Sequence, residues 1–232
     1  MKIIENIYKT SGVEFETNSN TFVLETEDEL IFFDLGYEEK QWNIMKNSLK
    51  RWNLSDKKIT KAFITHGHYD HAGNTFRANE AGIEVYGADP DAYKIENGYP
   101  EMEKLFNREW VCGKVDHRLS DGQSFAFKDA TVTAYAFPGH SLGSYGFVIE
   151  TKGYRALVTG DAFFIKPCPP EDAIDIDLAY MGGEDFNREC FASSLKKMSE
   201  LHCDILLPGH YYVYYGDVDA LCAKAYEALK EN

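Results

Sequence analysis

His66, His68, Asp70 and His71 lie within the six residues His66-Gly67-His68-Tyr69-Asp70-His71, and three further ligand types, His140, Asp161 and His210, each directly follow a glycine. Three imidazoles and a carboxylate this close in sequence cannot share one face of a helix or strand, so a loop folded around ions is expected. Imidazole and carboxylate donors suit Zn²⁺ and also admit Fe or Mn. The chemistry expected of such a set is hydrolysis at a two-metal centre. Bound water would fall from a pKa of about 15.7 to about 7, supplying hydroxide at neutral pH, while a second ion polarises a scissile carbonyl. Asp70 is expected to hold the proton of that hydroxide and pass it to the leaving group. Five of the seven histidines occupy these positions. Burying so many polar groups without compensation would be costly, which argues against a purely structural role. His117 and His202 lie outside the pattern and are expected to be hydrogen-bonded core residues.

The segments before these ligands share one design. Lys61-Ala62-Phe63-Ile64-Thr65 reads as a buried strand that delivers the histidine loop to one edge of a sheet. Thr131 to Phe137 precedes Pro138-Gly139-His140, Ala156 to Thr159 precedes Gly160-Asp161, and Asp204 to Leu207 precedes Pro208-Gly209-His210. Each is a strand, a sharp turn and a ligand, and glycine allows close backbone approach at the turn. Strands are also expected at Ile3 to Lys9, Thr21 to Thr26, Leu30 to Leu35 and Ile83 to Tyr86, with five short ones between Val115 and Thr159. Helices are expected over residues 37–53, with Trp42, Met45, Leu49 and Trp52 on one stripe, and from His71 to Ala81, Phe186 to Leu201 and Asp217 to Lys230. Residues 89–110, the least regular part, read as short helical pieces divided by Pro90, Gly98 and Pro100, residues 167–183 look like a long loop, and either could form a lid over a substrate. Strand-rich halves followed by helices predict an α+β protein with two sheets face to face and helices outside.

The composition, 44% apolar with 14% aromatic over 232 residues, is ample for the core of one large domain. With 24 basic and 38 acidic residues the net charge is −14. No basic track serves nucleic acid. No run approaches membrane-spanning length, and the start lacks a signal-peptide core, so a cytoplasmic protein is expected. The five cysteines form no CxxC pair and are expected to be reduced and mostly buried. The partner expected is a small-molecule substrate, and the sequence leaves the oligomeric state open.

His66 to His71 spells HxHxDH, and from Asp34 through His210 the chain resembles the metallo-β-lactamase fold superfamily. The resemblance implies a four-layer αββα sandwich of two mixed β-sheets, with the site where the strands end. It further implies that His66, His68 and His140 hold one ion, that Asp70, His71 and His210 hold the other, and that Asp161 bridges them. Asp34 matches the acidic residue that members carry after an early strand, in a supporting role behind the ligands.

A bridging aspartate resembles the glyoxalase II, thioesterase and lactonase branches more than the true β-lactamases. The chain departs from glyoxalase II after Gly160-Asp161, where no GCGR-like stretch follows. It also has Phe164 where acyl-homoserine lactonases place a tyrosine. Tyr69, Tyr211 and Tyr212 are candidates to orient a carbonyl beside the ions, and with Phe163 and Phe164 they suggest a partly apolar pocket. A small ester, thioester or lactone suits it. Two other classes share the fold, an iron-dependent oxidoreductase similar to persulfide dioxygenases and a non-catalytic metal-binding protein, and β-lactamase activity is a further alternative.

Overall fold

The computed structural model describes residues 1–168, 173–179, 181 and 183–231. The alternation in β4 (Leu30–Phe33) shows how its layers arise. Ile31 and Phe33 face one way, into a cluster with Phe147, Val158 and Leu207. Leu30 and Phe32 face the other way and meet Trp42 and Met45. A strand buried on both faces must lie between two apolar layers, hence its unbroken apolar sequence.

Among the described residues the first sheet has seven strands in the order β1 (Lys2–Ile4), β2 (Ile7–Ser11), β3 (Thr21–Glu25), β4, β5 (Ile59–Phe63), β6 (Glu84–Gly87) and β7 (His117–Arg118). Its first four strands pair antiparallel, and β4 through β7 pair parallel. The second sheet has six strands in the order β15 (Tyr214–Tyr215), β14 (Ile205–Pro208), β11 (Tyr154–Gly160), β10 (Tyr145–Thr151), β9 (Ala130–Ala136) and β8 (Ser124–Ala126). Only β11 and β14 run parallel there. Both sheets are therefore mixed. The inner core between them centres on Phe63, whose ring lies 5.2 Å from Phe147, 5.7 Å from Phe33 and 4.8 Å from Phe125.

Helices cover the outer faces, completing the expected αββα arrangement. On the first sheet α1 (Glu38–Arg51) buries Trp42, Met45 and Leu49, followed by α2 (Tyr69–Ala72), α3 (Thr75–Glu80), α4 (Asp91–Asn97) and α5 (Pro100–Phe106). On the second, α6 (Arg188–Met198) and α7 (Val218–Glu231) bury Phe191, Leu195, Leu221, Ala225 and Leu229 against Val148, Leu157 and Leu206. No helix among the described residues is long and apolar enough to cross a membrane.

Several local expectations are corrected. The helix expected from His71 to Ala81 is two helices, because the buried Asn74 leaves the helical path and donates through Nδ2 to the carbonyls of Leu35 and Glu38. Residues 89–110 do hold the short helical pieces expected there, α4 and α5, divided at Gly98 and Pro100. The long loop expected over 167–183 instead includes the end of β12 (Phe163–Cys168) and all of β13 (Ala173–Leu178), which pair antiparallel from Phe163 with Leu178 to Cys168 with Ala173. The period-two pattern Ile174-Asp175-Ile176-Asp177-Leu178 signals that strand, and neighbouring prolines mask it. The part of that expectation on residues 169–172, 180 and 182 lies outside the described residues. His117 and His202 are exposed rather than core: one stacks on Tyr86 and the other bonds to Asp219. Cys112, Cys190, Cys203 and Cys222 are free, with only Cys203 and Cys222 buried.

Replacing Phe63 by alanine removes the hub of the inter-sheet core. We expect a loss of about 3–5 kcal/mol in denaturant unfolding at unchanged secondary structure.

Candidate metal centre

Four strand ends bring the seven ligand types to one edge of the sandwich. β5 runs into the loop bearing His66 and His68, and α2 carries Asp70 and His71 on its first turns. From the second sheet, β9 leads to His140, β11 to Asp161 and β14 to His210. Two glycines are sterically required. At Gly209 a Cβ would overlap Asp161 Oδ1, and Gly139 combines φ +144° with close packing on the Phe191 backbone.

All seven side chains converge, and Asp70, His66, His68, His71, His140 and Asp161 are buried. His68 Nδ1 lies 2.9 Å from His140 Nε2, and His71 Nε2 lies 3.3 Å from His210 Nε2. Asp161 stands between these pairs, with Oδ1 3.1 Å from His71 Nε2 and Oδ2 3.3 Å from His210 Nε2 and 3.8 Å from His140 Nε2. Asp70 Oδ2 is 3.2 Å from His210 Nε2 and 3.6 Å from His71 Nε2. Three overlapping triplets, His66/His68/His140, His66/His71/Asp161 and Asp70/His71/His210, each have ligand atoms within 4.8 Å of one another.

The outer ring nitrogens explain why a cation fits. The partner of each outer nitrogen fixes where its ring proton sits. His71 Nδ1 donates to Asp34 Oδ2 at 2.8 Å, and His210 Nδ1 faces the Asn18 carbonyl at 3.2 Å. His140 Nδ1 faces the Ala179 carbonyl at 3.5 Å. Thr65 Oγ1 donates to Asp34 Oδ2, so at 3.0 Å from His66 Nδ1 its oxygen is the acceptor. In each case the outer nitrogen keeps its proton, so the neutral ring turns a bare Nε2 inward. Among the described residues His66 Nε2 and Asp161 Oδ1 are buried without a hydrogen-bond partner. Lone pairs and carboxylates packed this closely repel unless protons or cations lie among them. The donor set suits a divalent metal.

The electrostatics agree. Burial, then the positive charge of His71, holds His66 well below the usual histidine range, and burial takes His140 down to about 3. Burial opposes charge on His71 and His210 as well, but Asp161 and Asp70 outweigh it, raising His71 well above its usual range and His210 to about 10. Against the same burial, His210 and His71 hold Asp161 and Asp70 below the ordinary carboxylate range. Without an ion, two imidazolium groups thus balance the carboxylates, and a metal must displace their protons.

Other residues in the site carry no sequence motif. The buried Asp91 takes N–H donors from Gly67 at 2.7 Å and Gly143 at 3.1 Å, and the Ser141 hydroxyl at 2.6 Å. One carboxylate thereby ties the His66–His71 loop to the His140 turn. Ser19 donates to the Asp70 carbonyl, and Asn18 Nδ2 donates to Asp70 Oδ2 at 3.0 Å. Asn20 Nδ2 and the fully buried Lys9 Nζ donate to the Tyr211 carbonyl at 3.2 and 2.7 Å, holding the His210 turn. Tyr211 has φ 59°, a left-handed backbone that this anchoring maintains. Asp91 opens one of the short helical pieces read between Pro90 and Gly98, and its only sequence signal is an acid next to a proline.

A cavity of about 460 Å³ opens above the ligands. His68, Asp70 and His140 form its floor, α5 supplies Met102, Leu105 and Phe106, and Gly183, Glu184 and Asp185 stand opposite. The aromatic candidates distribute differently. Phe164 packs on His210 at 4.9 Å and on Tyr211 at 5.7 Å. Tyr69 turns away into the outer core, against Phe106 and Trp110, and its hydroxyl donates to the Glu109 carbonyl. Tyr212 is exposed and does not line the cavity.

Asp91→Ala would strand three donors and is expected to cost about 2–4 kcal/mol in denaturant unfolding. A second expectation concerns pH. In chelator-treated protein the raised His210 stabilises the fold fully below its unfolded pKa of about 6.5, and that contribution is lost as pH rises toward about 10. The melting difference between wild type and His210→Asn should therefore shrink from pH 6.5 to 10, and a constant difference would contradict the assigned charge.

The metallo-beta-lactamase superfamily model matches residues 15–210. Similar named proteins include thioesterase pkgB of Emericella nidulans, 28% identical over 83% of this chain and 45% of its own length. An atrochrysone carboxyl ACP thioesterase of Aspergillus fumigatus is also 28% identical, over 83% of this chain and 50% of its own length. The chain thus spans about half the length of these relatives. Among solved structures, a metallo-beta-lactamase motif mutant from Cronobacter sakazakii superposes with TM-score 0.77 at 15% identity, covering 100% of this chain and 95% of its own. The subclass B3 enzyme BJP-1 of Bradyrhizobium japonicum gives 0.73 at 20%, covering 100% and 90%. Those likenesses show the fold, and with the matched model they place the chain in the metallo-beta-lactamase superfamily.

Proposed function

We propose that the protein is a metal-dependent hydrolase of acyl thioesters, or of closely related small esters and lactones, with two divalent ions, Zn²⁺ by ligand type. In this reading His66, His68 and His140 hold one ion, Asp70, His71 and His210 hold the other, and Asp161 lies between them. The observation that carries it is the convergence of inward-facing imidazole nitrogens with Asp70 and Asp161, where His68, Asp70 and His140 form the floor of an open, partly apolar cavity. The thioesterase names of the relatives support the choice of substrate class.

When bound, the ions supply Lewis acidity and water activation near neutral pH. The chain's own residues do the rest. Met102, Leu105 and Phe106 offer an apolar wall for the acyl group, so the carbonyl end points to the floor. The Asp70 carboxylate, which His71 and His210 hold below the ordinary range against its burial in the metal-free protein, would receive the proton released when water adds. Asn18 and Ser19 fix that carboxylate from side chain and backbone, so it need not reorganise before passing the proton on.

A thiol leaving group has a pKa near 8.5 and departs with little help, whereas an alcohol needs the proton. Asp70→Asn is therefore expected to lower kcat/KM about 10²–10⁴-fold on an oxygen ester and less on the matching thioester. The deciding experiment combines elemental analysis of protein purified without chelator with a turnover screen over thioesters, esters, lactones and β-lactams. Metal-loaded protein inert toward all of them would sink the proposal. Iron together with persulfide-dependent oxygen uptake would move it to the oxidoreductase class.

A further inference from the structure

We propose that Asp185 is a positioning residue that orients the ring of His68, an inference that rests on His68 being a metal ligand as read above. Among the described residues, the outer nitrogens of His66, His71, His140 and His210 face Thr65 Oγ1, Asp34, the Ala179 carbonyl and the Asn18 carbonyl. His68 is turned the other way round, presenting Nδ1 to His140 Nε2 at 2.9 Å and Nε2 outward. There Nε2 faces Asp185 Oδ2 at 3.9 Å. A carboxylate at that nitrogen favours the Nε2–H tautomer and leaves Nδ1 bare toward the cluster.

The placement of Asp185 is itself enforced. Lys94 Nζ donates to Oδ1 at 2.7 Å, and the Tyr99 hydroxyl donates to Oδ2. Tyr99 is fully buried, with its ring 5.9 Å from that of His68, and Lys94 Nζ lies 4.2 Å above the Tyr99 ring. Helix α4 and the start of α5 thus hold a carboxylate from the β13–α6 connection against the back of the histidine. Asp185 also lines the cavity opposite α5, so the same group links the substrate-facing wall to the ligand.

The test compares wild type with Asp185→Ala and the isosteric Asp185→Asn. Zn²⁺ affinity is measured by competition with a chromophoric chelator, and the His68 tautomer by ¹⁵N NMR of histidine-labelled protein. Melting of the metal-free proteins reports folding. We expect melting lowered in Asp185→Ala, which strands the Tyr99 and Lys94 donors, and lowered less in Asp185→Asn, with Zn²⁺ affinity down about 10–100-fold at one site in both and His68 shifted from a single Nε2–H form to a mixture. Wild-type affinity in both variants would overturn the inference, as would lost affinity with the His68 tautomer unchanged, since a mere staple between loop and helices would give that result. A wild type that takes up no Zn²⁺ would overturn the proposed function as well, whereas a hydrolytically active wild type matched by its variants would overturn only the role of Asp185.

Discussion

What the structure must solve is how to keep several imidazoles and two carboxylates within a few ångströms of one another in a place largely closed to water. Its solution is directional. Asp34, Thr65, Asn18 and the Ala179 carbonyl each occupy the back of a ring, so that in the neutral imidazole the proton stays outside and the lone pair points in. Asp34 serves two rings, one directly and one through Thr65, while also receiving the Thr65 N–H. It does so with a left-handed backbone, φ 60°, a conformation that a residue other than glycine holds only when its surroundings compel it.

Much of this was legible from residue order. HxHxDH and the three glycine-led ligands announce a metal site, and apolar runs ahead of each announce the strands that carry them. β5, β9, β11 and β14 all end beside the ligand that their sequence leads into. The layers follow from the same logic, since a strand such as Leu30–Phe33 with no polar face has to be covered on both sides.

What sequence reasoning missed depends on contacts between distant segments. Asp91 joins two ligand loops from a stretch with no motif, and nothing local distinguishes it from a surface acid. Tyr69 illustrates the converse. Its place inside the motif suggests a role beside the ions, yet a short helix turns adjacent residues to different sides, and its ring falls into the α5 core while Asp70 and His71 face the centre. The pairing of β12 and β13 was hidden because prolines dominate a reading of composition, whereas the Ile-Asp alternation carries the strand.

Lys9 and Asn20, on or beside the earliest strands, receive the turn that follows β14 nearly two hundred positions later. The order of synthesis gives that link a consequence. A growing chain makes these donors, the histidine motif and most of the inner core long before the strand leading to His210 exists. Until then Asp70 and Asp161 lack one of the imidazoles that neutralise them, and the buried ammonium of Lys9 lacks one of its two partners. The ribosome must therefore release residue 210 before the charges of the nascent sandwich can balance, which makes completion of the site a late event in the life of each molecule.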